Sequence, residues 1–119
     1  MSIISEKKLE EELGAILKQQ GYKVVAQKGL SQRFHRKPDF IVEHAGKHVV
    51  IEVKSRPAMM SDISVVGQVK QAGLIGTLLC MPQDALVQIP SSVLSYADQL
   101  GVQLCSTDDV GDVLNTMFN

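Results

Sequence analysis

Residues 38–54, PDFIVEHAGKHVVIEVK, decide the fold. Two runs rich in β-branched and aromatic residues, 38–44 (PDFIVEH) and 47–54 (KHVVIEVK), read as strands, with AGK at 45–47 making a tight turn between them. The pair is expected to form an antiparallel hairpin. In the second strand the side chains alternate, so Val49, Ile51 and Val53 share a face that can enter a core. Val50, Glu52 and Lys54 share the other.

Pro38 and Asp39 open the first strand, where a proline is tolerated, and Glu52 and Lys54 close the second. Folding one strand back on the other carries Asp39 to the Glu52–Lys54 end. Two carboxylates and an ammonium then meet at one corner, expected at the edge of the sheet and outside the core. A Glu-x-Lys triplet alone is an ordinary surface ion pair, but the second carboxylate changes the reading. Two acids held together repel unless a cation lies between them. A hard ion bound through oxygen, Mg²⁺ or Mn²⁺, suits that donor set. His44 and His48 flank the turn at the far end and read as surface residues.

Working outward, residues 5–20 form an amphipathic helix pattern on Leu9, Leu13, Ile16, Leu17 and Gln20, capped by Ser5 and stopped by Gly21. Residues 22–27 read as a strand, and 28–37 as a basic loop or strand extension. Beyond the hairpin, Pro57 and Ser61-Asp62 mark a loop, 63–73 a helix, and 74–81 (LIGTLLCM) a strand buried on both faces. Ser91 is placed as the cap of a helix closed by Gly101, 102–105 as a short strand, and Ser106 or Thr107 as the cap of a last helix to about Phe118. Strands alternating with helices in the second half imply a mixed sheet with helices on both faces, an α/β fold.

The 119 residues suit a single domain spanning 1–119, and 45% hydrophobic with 21% charged residues is ordinary for a globular chain. No run is apolar for long enough to cross a bilayer, and the charged start MSIISEKKLEEEL lacks a signal-peptide core, so a cytoplasmic location without membrane contact is expected. Cys80 and Cys105 lie in apolar runs and read as buried, reduced thiols; with two Cys and three scattered His, no zinc spacing appears. The net charge of −1 hides a strong asymmetry: residues 1–80 carry +4 and residues 81–119 carry −5, from five Asp and no base. Residues 18–37 hold six bases (Lys18, Lys23, Lys28, Arg33, Arg36, Lys37) and no acid, a local stripe of the kind a phosphate backbone needs.

Pro38-Asp39-Phe40-Ile41-Val42, followed thirteen residues after the Asp by Glu52-Val53-Lys54-Ser55-Arg56, resembles the PD-(D/E)XK nuclease superfamily. Spacing and flanking strands are most similar to the archaeal Holliday junction resolvases and their restriction-endonuclease-like relatives, over roughly residues 5–75. The resemblance implies a restriction-endonuclease-like fold whose hairpin carries the active site of a Mg²⁺-dependent deoxyribonuclease. It implies that Asp39, Glu52 and the Val53 carbonyl hold the metal, and that Lys54 orients the attacking water and stabilises the developing charge. It also implies a glutamate from the first helix, with Glu10 preferred and Glu6 second, and a glutamine from the following helix, with Gln68 preferred over Gln71.

Arg33, Arg36, Lys37, Ser55 and Arg56, with Lys70, are read as phosphate contacts that fix position without reading sequence. His35 has nothing to place it near the metal. With no Trp, and only Tyr96 and Phe118 in the second half, base stacking is not the expected mode of recognition. The expected substrate is branched or duplex DNA, cut by a homodimer because one small chain covers little of it. The acidic C-terminal third faces away from DNA or meets another protein. The alternative is a nuclease-fold module that binds or assembles without cutting. The near-neutral charge favours that alternative, and the intact Asp39, Glu52 and Lys54 oppose it.

Overall fold

The computed structural model describes residues 5–24, 39–68 and 73–119. The hairpin forms as its pattern dictates: β2 (Phe40–His44) pairs antiparallel with β3 (Lys47–Val53), in register from Phe40↔Ile51 to His44↔Lys47. Its two-residue turn, Ala45-Gly46, has positive φ at both positions (53° and 79°), the geometry whose twist matches that of paired strands. The short edge strand β1 (Lys23–Val24) pairs antiparallel with β2.

On the other side β3 pairs in parallel with β4 (Leu74–Met81), and β4 in parallel with β5 (Val102–Ser106). The result is a five-stranded mixed sheet in the order β1-β2-β3-β4-β5. Parallel pairing needs crossovers that lay helices on the sheet, so β4 is covered on both faces, as its unbroken apolar run requires.

Alternation sorts the strand residues into two cores. Val49, Ile51, Val53, Leu78 and Cys80 pack under α1 (Glu6–Gln19) and α5 (Val110–Phe118), where Leu9, Leu13, Leu17, Leu114 and Phe118 are buried. Leu79, Met81 and Val102 face the opposite way, under α2 (Met60–Gly67), the short α3 (Gln83–Leu86) and α4 (Ser91–Leu100). The chain is therefore a mixed α/β structure with helices on both faces of the sheet. Among the described residues, no helix is long and apolar enough to cross a membrane.

Local details depart from the sequence reading in ways that have physical causes. Ser5 caps α1, accepting from Lys8 N at 3.2 Å, but Gln20 is the exposed C-cap rather than part of the apolar face. Helix α2 begins three residues earlier than its apolar pattern, because the Asp62 carboxylate accepts from Met59 N at 2.9 Å and so caps the first turn. Pro90, not Ser91, occupies the N-cap of α4; Gly101 (φ 71°) closes that helix. Ser106 caps a single 3₁₀ turn, Thr107–Asp109, that precedes α5. Cys80 and Cys105 are buried free thiols, cross-strand neighbours with Sγ atoms 3.1 Å apart. The hydrogen bond to Cys105 and burial push the Cys80 thiol well above its ordinary pKa.

Candidate active site at the open end of the hairpin

The β2–β3 register, carried one step beyond Phe40↔Ile51, sets Asp39 opposite Glu52. Two hydrogen bonds lock that placement. Asp39 N donates to Glu52 Oε1 at 3.2 Å, and Val53 N donates to Asp39 Oδ2 at 2.8 Å. Each carboxylate is thus fixed by the neighbouring strand's end rather than by its own rotamer preferences. Lys54 follows directly, its backbone N bonded to Cys80 O at 2.8 Å, so the parallel ladder extends through it.

The corner is less open than the sequence suggests. Glu52 and Lys54 are each only 5% exposed. They share the face that holds Leu79, the register partner of Glu52, and α2 packs on Leu79. Lysine is almost never buried to this degree unless its charge has company. Here the ammonium lies within electrostatic reach of Glu10 on α1 and Asp62 on α2.

Helix α1 brings the third carboxylate. Leu9, Leu13 and Leu17 go into the core, so Glu10 sits on the shoulder of the buried stripe and reaches Asp39. Burial, the hydrogen bond to Asp39 and the charges of Asp39 and Glu6 raise the Glu10 pKa to about 7, against a smaller downward pull from Lys54. Glu6 stays near enough to be felt, while Glu11 and Glu12 point to solvent.

Among the described residues no three of His, Cys, Asp and Glu close into a metal cage. What the corner offers is a cross-strand carboxylate pair with a third carboxyl group, that of Glu10, against Asp39. A hard divalent ion fits that donor set, because Mg²⁺ binds through one or two carboxylates, with waters and phosphate oxygens completing its shell.

Arg56 and Asp62 complete the corner. Asp62 is 6% exposed and accepts from Arg56 Nη1 at 2.7 Å and Nη2 at 3.0 Å, besides Met59 N. Burial alone would raise the Asp62 carboxyl, but the Arg56 fork and the Met59 amide outweigh it and hold the pKa below its ordinary value. Sequence reading put Asp62 in a loop and missed this role. The available signal was an acid in the first turn of a helix, where the dipole and free N–H groups favour it.

Of the remaining expected site residues, Gln68 and Ser55 lie within the described segments. Gln68 is the exposed C-cap of α2, on the order of 9 Å along the helix from Asp62, and makes no described contact with the corner. Because α2 ends at Gly67, residue 68 falls at the helix tail, at the opposite end from Asp62. Ser55 is half-buried beside Lys54. Arg33, His35, Arg36, Lys37, Lys70 and Gln71 lie outside the described residues. His44 is exposed and packs on the Phe118 ring at 5.4 Å. His48 is not a surface residue: its side chain is 18% exposed and Nε2 lies 3.3 Å from Glu43.

No family model and no curated protein matches the chain. Among solved structures it is similar to Pyrococcus furiosus SfsA, determined in complex with Ca²⁺, with a TM-score of 0.48 and 16% identity over 85% of this chain and 53% of that one. The chain therefore spans about half the length of that protein.

Proposed function

We propose that the chain is a divalent-metal-dependent nuclease with a restriction-endonuclease-like fold that hydrolyses DNA phosphodiesters. The observation that carries this reading is the cross-strand pair Asp39–Glu52, pinned by two backbone bonds, beside a lysine that is 95% buried. Asp39 and Glu52, with the Val53 peptide against Asp39, are the residues that would hold Mg²⁺ or Mn²⁺. When bound, such an ion supplies an acidified water and a counter-charge for phosphoryl oxygens.

The chain's own groups do the rest. The Lys54 side chain lies in a buried site, where a positive charge acts on developing negative charge far more strongly than it would in bulk water. The Lys54 backbone bond to Cys80 fixes the strand position from which the side chain projects. Glu10 holds or yields a proton next to Asp39 near neutral pH, where a proton acceptor is most useful. We further propose that two copies act together on the duplex, and that the acidic 81–119 segment is turned from DNA.

The test is incubation of the purified protein with Mg²⁺ against four-way junctions, linear duplex, single strands and flaps. At least one DNA should be cut, only with the divalent ion present. Lys54→Ala should lower the rate by at least about 100-fold while the protein stays folded. No cleavage across the panel, or wild-type cleavage by Lys54→Ala, refutes the reading.

A further inference from the structure

Arg56 lies two residues beyond Lys54 and is already engaged, yet incompletely. A guanidinium has five N–H donors in a rigid plane. Asp62 takes one from Nη1 and one from Nη2, gripping the group end-on, and Pro57 O takes the second Nη1 hydrogen at 3.1 Å. That leaves Nε–H and the outer Nη2 hydrogen. They are parallel and adjacent, and among the described residues neither is bonded. The side chain is 44% exposed, against 6% for its partner, so the bridge is sealed on the Asp62 side and open on the other.

An ordinary surface bridge leaves both side chains mobile and contributes little. Here the carboxylate is fixed by a third hydrogen bond, from Met59 N, at the first turn of α2. The arginine therefore keeps one orientation before anything binds. Arg56 also belongs to the metal corner electrostatically: it lies in the field of Glu6, one turn from Glu10, while its clamp Asp62 lies in the field of Lys54.

We infer that Asp62 is a positioning residue, which holds Arg56 end-on so that its remaining N–H edge forms a preformed fork for a backbone phosphate beside the one under attack. The inference rests on the nuclease reading and specifies how that site grips its substrate. Bidentate arginine–phosphate contacts gain both strength and geometry from the fork. Fixing the fork in advance removes the ordering cost from the binding step.

The sign of one substitution separates positioning from simple charge. Asp62→Asn removes a negative charge near DNA, so Coulomb's law alone makes it bind more tightly. A lost clamp makes it bind more weakly. Binding of a linear duplex and of a four-way junction would be measured in Ca²⁺ over a salt series, and cleavage in Mg²⁺, for wild type, Asp62→Asn and Arg56→Lys.

Both variants should lose about 10-fold in affinity with the salt slope little changed, because the positive charge at position 56 remains, and with the loss falling on KM rather than kcat. Arg56→Lys keeps the charge and loses only the fork, and it decides the matter alone if Asp62→Asn fails to fold. Equal or tighter binding by folded variants overturns the inference and leaves the nuclease reading standing. A wild type that neither binds nor cuts either DNA overturns both.

Discussion

Glu10 is the residue whose ionisation the corner controls. Its folded pKa, about 7, lies above the ordinary 4.5, because burial and the Asp39 carboxylate both disfavour its charge. A raised carboxyl pKa means that the folded protein binds the proton more tightly than the unfolded chain does. The associated stability is present below pH 4.5 and is lost as pH rises through about 7. In metal-free protein, Glu10→Gln should therefore unfold at a higher temperature than wild type at pH 8, with the difference vanishing near pH 4. Added Mg²⁺ should raise the wild-type Tm more at pH 8 than at pH 5, since binding to the native state stabilises it. Thermal melts in chelator and in Mg²⁺ at the three pH values check both statements; a wild-type-to-variant difference independent of pH would contradict the Glu10–Asp39 coupling.

At the scale of the elements, the hairpin was legible because β-branched residues at period two can bury only one way. Val49, Ile51 and Val53 do enter the α1–α5 core, opposite Glu52. Strand β4 was legible to the residue, since an apolar run of that length, set between helical patterns, has few other uses. Glu10 could be singled out from four glutamates by its position on the edge of the leucine stripe. Asp62 could not, because its role depends on Arg56 reaching it across the loop that opens α2, a tertiary fact with no period. The depth of Glu52 and Lys54 was equally hidden: alternation gives their face, but not how completely the rest of the chain closes around it.

The hairpin turn also carries a local flaw. Ala45 is exposed and adopts φ 53°, a left-handed conformation that costs an L-residue about 1 kcal/mol, whereas Asn tolerates it. Ala45→Asn should stabilise the protein by about 0.5–1 kcal/mol in denaturant melts without changing cleavage, because the turn is at the opposite end of the hairpin from Asp39. A destabilised variant would show that the turn is not held as described.

Over the whole molecule, charge is divided along the chain. Every base lies in residues 1–80, and the five Asp of the last third, Asp84, Asp98, Asp108, Asp109 and Asp112, are all exposed. A net charge of −1 is compatible with DNA binding if the bases gather on one side, and residues 18–37 are the densest source. Replacing Arg36 and Lys37 together by Ala should weaken duplex binding and flatten the salt dependence by about two units of slope, one per phosphate released. An unchanged slope would remove that segment from the interface.

The central claim is that Asp39 and Glu52 together seat a divalent ion beside Lys54, and titration with Mn²⁺ followed by calorimetry or electron paramagnetic resonance reads it without requiring the right DNA. Wild type should bind Mn²⁺ at one site per chain, and Asp39→Asn and Glu52→Gln should each lose that site while remaining folded. Undiminished Mn²⁺ binding by either folded variant, or none by the wild type, would contradict it.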